Sequence, residues 1–102
     1  MKKTKTDVKT SASQLTKLRV TLTTKPEDGV SVGNTILLKK QPDNAFDSEA
    51  IQVFHLGEPK GYVSAFYKTR KLGTVSAGRL YDKMGDQAQA LVVEENVAEV
   101  MV

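Results

Sequence analysis

The chain has 102 residues, 39% of them hydrophobic, with no cysteine, a single histidine and a formal net charge of +3. That length suits one domain with a core large enough to fold without disulfides, and the shortage of Cys and His removes the four-ligand zinc sites. Apolar runs are only a few residues long and none follows the basic N-terminus, so neither a membrane span nor a secretory leader is expected, and the protein reads as soluble and cytoplasmic.

Charge is unevenly spread. Lys2, Lys3, Lys5, Lys9, Lys17 and Arg19 face a single early acid, Asp7, whereas Asp86, Glu94, Glu95 and Glu99 near the end have no basic neighbour after residue 86. Such asymmetry suggests a polyanionic partner for the basic side, with a solubilising tail as the plainer alternative for residues 1–14. Residues 1–16 offer little to bury and read as a disordered basic arm, leaving 17–102 as a single domain.

"LRVTLTT" alternates Leu18, Val20 and Leu22 with polar residues, the period of a half-buried strand. "KPEDG" is a turn, "NTILLKK" a second strand, and "QPDN" another cluster of turn formers. "AIQVFHL" has apolar groups at both parities and reads as a central strand covered on both faces. "GEPK" reads as a tight connection and "GYVSAF" as the return strand of a hairpin. "YKTRKLGTV" is a polar, basic loop. In "SAGRLYDKMGD", Ala77, Leu80, Tyr81 and Met84 fall on one face of a short helix that Ser76 can cap and Gly85 can end. The remainder holds one clear strand, near 88–93, and a shorter last one. Five to six short strands with one helix near residues 76–84 predict an all-β fold, a small OB-like or SH3-like barrel whose closure hides its edges.

Little in the chain suits catalysis. His55 lies in a strand among apolar neighbours, where a packed or sheet-face histidine is expected rather than a general base. Asp43, Asp47 and Glu49 lack the alternating ligands and mid-loop glycine of a calcium loop. Gly29 and Gly33 lead into strand residues, not into the helix and lysine of a phosphate-binding loop. A binding module with no enzymatic activity and no cofactor follows.

The stretch "QPDNAFDSEAIQV" sets Phe46 beside Asp47 at the lip of a strand. Phe46 is either a core plug or a platform on which a base stacks. Asp47 is either a loop brace accepting backbone N–H groups or a carboxylate that reads a hydroxyl. Lys39 and Lys40 end the preceding strand, with one of them directed at solvent. Tyr67, Lys68, Arg70 and Lys71 interleave base with aromatic beside Phe66, as suits a groove for single-stranded nucleic acid; a solvated loop is the plainer alternative. Arg79 and Lys83 lie on the outer face of the helix, where ordinary surface charge is expected.

"VGNTILLKKQPDNAFDSEAIQV" followed by "PKGYVS" resembles the HIRAN domain, a small β-barrel found alone in bacteria and phages and at the N-terminus of some DNA-repair helicases. Pro42, Asn44, Phe46, Asp47, Ala50, Ile51 and Val53 hold the places of that family's loop and strand pattern, and Gly61 and Val63 match its return strand. "GTVSAGRLYDKM" is similar to the segment that bacterial members carry after the hairpin, so the resemblance spans about residues 18–93. It implies an OB-like barrel that binds DNA, and in the helicase-linked members a single strand ending in a free 3′ hydroxyl. By position, Phe46 would stack on the terminal base, Asp47 would accept from the 3′ hydroxyl, and Asn44 would hold the loop or contact the backbone.

Three positions depart from the family pattern. Ala45 replaces a second proline, Tyr62 stands where helicase-linked members have histidine, and "LRVTLTTKPEDG" lacks the aromatic that would complete a sandwich around the base. Weaker end binding is expected from that last change. The resulting expectation is a monomeric DNA-binding module for single-stranded or frayed ends in DNA repair or processing, with any helicase or nuclease activity on a separate chain. The alternative is a protein-interaction adaptor of the same fold that binds nucleic acid only weakly.

Overall fold

The computed structural model describes residues 15–66 and 68–102. Six strands form one antiparallel sheet: β1 (Lys17–Thr21), β2 (Thr35–Gln41), β3 (Ala50–His55), β4 (Glu58–Tyr62), β5 (Gln87–Glu94) and β6 (Val97–Met101). Their order across the sheet is β1-β6-β5-β2-β3-β4. One short helix, α1 (Ala77–Tyr81), follows β4, and a 3-10 turn (Pro26–Asp28) follows β1. The result is a small, mostly β, barrel-like fold. No helix among the described residues is long and apolar enough to cross a membrane.

The alternation seen in the sequence sets which face is inside. Val20, Ile36, Leu38, Ile51, Val53, Val92 and Val100 are all buried, while their strand neighbours Lys17, Arg19, Thr35 and Lys39 face solvent. Each fully buried aliphatic side chain contributes about 1.5–3 kcal/mol relative to exposure. The two outer strands meet through their continuations. Leu22 bridges Val63, flanked by hydrogen bonds from Thr23 N–H to the Tyr62 carbonyl (2.8 Å) and from Ser64 N–H to the Thr21 carbonyl (2.7 Å). Gly61 makes this approach possible: its φ is +136°, and a Cβ there would sit 3.2 Å from Thr23 Oγ1. Asn96 fastens the same region from the β5–β6 turn, its Nδ2 donating to the Leu22 and Thr24 carbonyls at 3.1 and 2.7 Å.

Helix α1 covers the remaining opening, contributing Ala77 and Leu80 to the core together with Met84 just beyond it. Ser76 caps it, its Oγ accepting from Arg79 N–H at 3.2 Å. The helix ends at Tyr81, with Asp82 in right-handed conformation as its C-cap, so Gly85 does not terminate it.

Three further expectations are revised. The return strand of the hairpin is Glu58–Tyr62, not a segment beginning at Gly61. Leu56 and Gly57 both have positive φ (54° and 81°), so two residues complete the turn and pairing resumes at Glu58. Pro59 is tolerated because β4 is an outer strand of the sheet. Strand β3 is central, but only its Ile51 and Val53 side is sealed; Gln52 and Phe54 remain partly open. The last segment is a full strand, β6, which lies between β1 and β5.

Candidate nucleic-acid interface

The loop between β2 and β3 is built around Asn44. Its Oδ1 accepts from the backbone N–H groups of Phe46 (2.9 Å) and Asp47 (3.0 Å), an Asx-type turn that fixes both residues. Its Nδ2 donates to Gln41 Oε1 at 3.2 Å, and its own N–H reaches the Gln41 carbonyl at 3.0 Å. Gln41 Oε1 also accepts from the Tyr62 hydroxyl at 3.1 Å, and Gln41 Nε2 donates to Gln52 Oε1. Three strands thus brace one loop through a single glutamine side chain.

On this support Phe46 stands 98% exposed. It is no core plug. Asp47 is exposed beside it; Oδ1 accepts from Glu49 N–H at 2.9 Å, bracing the loop, while Oδ2 has no hydrogen bond among the described residues. Glu49 lies against helix α1, its Oε1 3.0 Å from where a Cβ on Gly78 would be.

A second aromatic faces the same space. Phe66, 73% exposed, follows β4 and lines with Phe46, Asp47, Tyr62, Ala65 and Thr69 an open notch of about 570 Å³. Its carbonyl accepts from Thr69 N–H and Thr69 Oγ1, both at 3.1 Å, and Thr69 Oγ1 lies 2.6 Å from the hydroxyl of buried Ser64. Buried Ala50 and Val63 also line it, with Thr23. Among the described residues Asp47 is the one carboxylate lining this notch.

The cations sit differently. Lys39 faces solvent on the outside of β2, whereas the Lys40 ammonium lies 4.2 Å from the centroid of the Tyr81 ring, outside the notch. Lys68 is exposed beside Thr69. Arg70 is half-buried, with its Nε enclosed and without a partner among the described groups. Lys71 is turned toward the β5–β6 turn, its Nζ donating to the Glu95 carbonyl at 2.6 Å. Tyr67 lies outside the described residues, as do residues 1–14 of the basic arm. Among the described residues, ion pairs join Lys17 and Arg19 of β1 to Glu94 and Glu99, and Lys60 to Glu58.

The structure therefore brings together Asn44, Phe46, Asp47 and Tyr62 in one notch that Lys39, Lys40 and Lys71 do not line, although Lys40 and Asn44 share a smaller hollow with Gln41, Pro42 and Asp43. Sequence reasoning missed Gln41 as the hub of the loop; it set Phe66 beside the basic run at 67–71 but not across from Phe46. The spacing Ser64–Phe66–Thr69 is a weak signal for that placement, since paired hydroxyls can fix a turn that presents an aromatic. No family model, no curated protein and no solved structure matches this chain.

Proposed function

We propose that this protein is a non-catalytic DNA-binding module that receives the unpaired end of a strand in the notch between Phe46 and Phe66. The terminal base stacks on the rings, and a free 3′ hydroxyl donates to Asp47 Oδ2. The observation that carries this reading is the pairing of a fully exposed phenylalanine, fixed through its backbone N–H, with a carboxylate that has one oxygen engaged and one without a partner among the described residues. Leaving such a ring in water forgoes about 1.5–3 kcal/mol of burial. Single exposed apolar residues are ordinary, but two exposed phenylalanines lining one apolar notch together with Tyr62 are not scattered. Base stacking on an aromatic is worth about 1–3 kcal/mol and tolerates any base. A carboxylate repels phosphate, so it favours a strand that stops and offers a hydroxyl donor. Phe66 offers a second ring in place of the aromatic missing after β1.

The role belongs to DNA repair or processing, in the cytoplasm, with any helicase or nuclease on another chain. The apolar lining equally suits an adaptor that grips a peptide, and one experiment separates the two. Fluorescence anisotropy compares a short single strand ending in a 3′ hydroxyl with the same strand ending in a 3′ phosphate, for wild type, Asp47→Ala and Phe46→Ala. Tighter binding of the hydroxyl end, abolished in Asp47→Ala, supports the reading. Equal binding of both ends leaves Asp47 as a loop brace, and absence of binding near physiological salt favours the adaptor.

A further inference from the structure

The outside of β2 presents Thr35, Leu37, Lys39 and Gln41, alternating with buried Ile36 and Leu38. Register places Lys39 opposite Gln52 of β3 and Gln87 of β5, and Gln52 opposite Tyr62 of β4. A single row, Gln87–Lys39–Gln52–Tyr62, therefore crosses four strands and ends at the notch. The neighbouring row sets Leu37 between Phe54 and Gln89. An open groove of about 330 Å³ lies over Leu37, Lys39, Phe54, Leu56 and Gln89.

This face differs from the outside of β1 and β6. There, Lys17 and Arg19 are paired with Glu94 and Glu99. Here the two rows and Gln41 contain no carboxylate, a single lysine without an ion pair among the described residues, and four amide side chains, Gln41, Gln52, Gln87 and Gln89. Glutamine amides hydrogen-bond bases and sugars without charge repulsion, and an unpaired ammonium complements phosphate. A half-open phenylalanine supplies a stacking surface. The face is continuous with the notch through the Gln41–Gln52 and Gln41–Tyr62 hydrogen bonds.

We propose that the outer face of β2 and β3 is a track for the strand leading to the end held in the notch, with Lys39 on a phosphate and Phe54 beneath a base. This rests on the notch binding a strand end. Tyr62 and Lys39 are two strands apart, about 10 Å at the usual interstrand spacing. That distance is three nucleotides at a stacked spacing of about 3.4 Å. A dinucleotide then fills the notch alone, while a hexanucleotide engages both surfaces.

The test is an NMR titration of isotope-labelled full-length protein with a thymidine dinucleotide and a thymidine hexanucleotide, each ending in a 3′ hydroxyl. Wild type is compared with Lys39→Gln, Phe54→Leu and Asp47→Ala. The dinucleotide is expected to shift resonances of the notch only; the hexanucleotide binds tighter and also shifts the side-chain amides of Gln52 and Gln89. Lys39→Gln weakens hexanucleotide binding about fivefold at 0.1 M salt, from a slope of about 0.7 per phosphate, and leaves the dinucleotide unaffected. Phe54→Leu weakens the hexanucleotide by about fivefold or more, the lower end of a stacking loss. Thermal melting checks that both variants fold. If Asp47-dependent dinucleotide binding persists without any gain on lengthening, the track is wrong and the notch reading stands. If neither oligonucleotide binds, both fall. Self-association through this face, seen as concentration-dependent sedimentation lost in Phe54→Leu, would also overturn the track.

Discussion

Gln41→Leu removes the side chain on which the candidate site rests while nearly preserving its volume. Wild-type Gln41 accepts from Asn44 Nδ2 and the Tyr62 hydroxyl and donates to Gln52. Leucine can do none of this. An intramolecular hydrogen bond contributes about 0.5–1.5 kcal/mol net, and water can reach these partly buried groups, so about 1–2 kcal/mol of loop ordering is expected to go. Reordering on binding then weakens affinity for a strand end by about 5–30-fold, following the fraction of binding-competent loop. The assay is amide hydrogen exchange at Phe46 and Asp47, whose N–H groups donate to Asn44 Oδ1. Both are expected to exchange faster in Gln41→Leu, while core amides such as that of Val53 keep their protection. Faster exchange in Asn44→Ala but none in Gln41→Leu would refute the claim that the glutamine positions this loop, whether or not the protein binds DNA.

Leu56 holds a left-handed conformation (φ 54°) and is 88% exposed, so it has strain and little burial to offset it. Leu56→Asn is expected to stabilise the fold by about 1 kcal/mol, raising the thermal midpoint by roughly 4–8 °C; a lower midpoint would mean that the leucine packs usefully. Leu38→Ala empties a fully buried site between β3 and β5 and is expected to cost about 2–5 kcal/mol in urea unfolding. Ser76→Ala removes the α1 cap and is expected to cost about 1 kcal/mol, with an unchanged urea midpoint arguing against the cap.

The barrel was legible because burial imposes a period on the chain. Val20 occupies a position that the alternation of β1 assigns to the interior, and Leu38, Ile51 and Val92 lie in the apolar runs read as strands, with the buried face of each shown by the structure. The β4 boundary was harder to read, because a two-residue turn at Leu56–Gly57 lacks the usual Asn-Gly chemistry and Pro59 discourages a strand assignment. The Asn44 turn was visible as a motif, and the structure supplies the hydrogen bonds that hold it. Gln41 was not visible, since it acts only through residues that the fold brings near: Tyr62 is twenty-one positions from Gln41 along the chain. Phe66 was visible as an aromatic beside the basic run, but not as a neighbour of Phe46.

The two exposed phenylalanines of the notch depend on independent supports. Phe46 is held by an amide network anchored in β2, β3 and β4, and Phe66 by the Ser64 and Thr69 hydroxyls beyond β4. Both supports act on backbone groups adjoining the ring, so they set where each ring emerges while leaving the ring itself free to meet a ligand. A merely tolerated surface phenylalanine needs no such anchoring, because its position has no consequence. A stacking platform does, because each ring that must be ordered at binding subtracts from the roughly 1–3 kcal/mol that a stacked base supplies. Fixing the backbone before the ligand arrives reduces that subtraction. If the notch receives a strand end as proposed, the polar side chains beneath it matter as much to affinity as the rings on display.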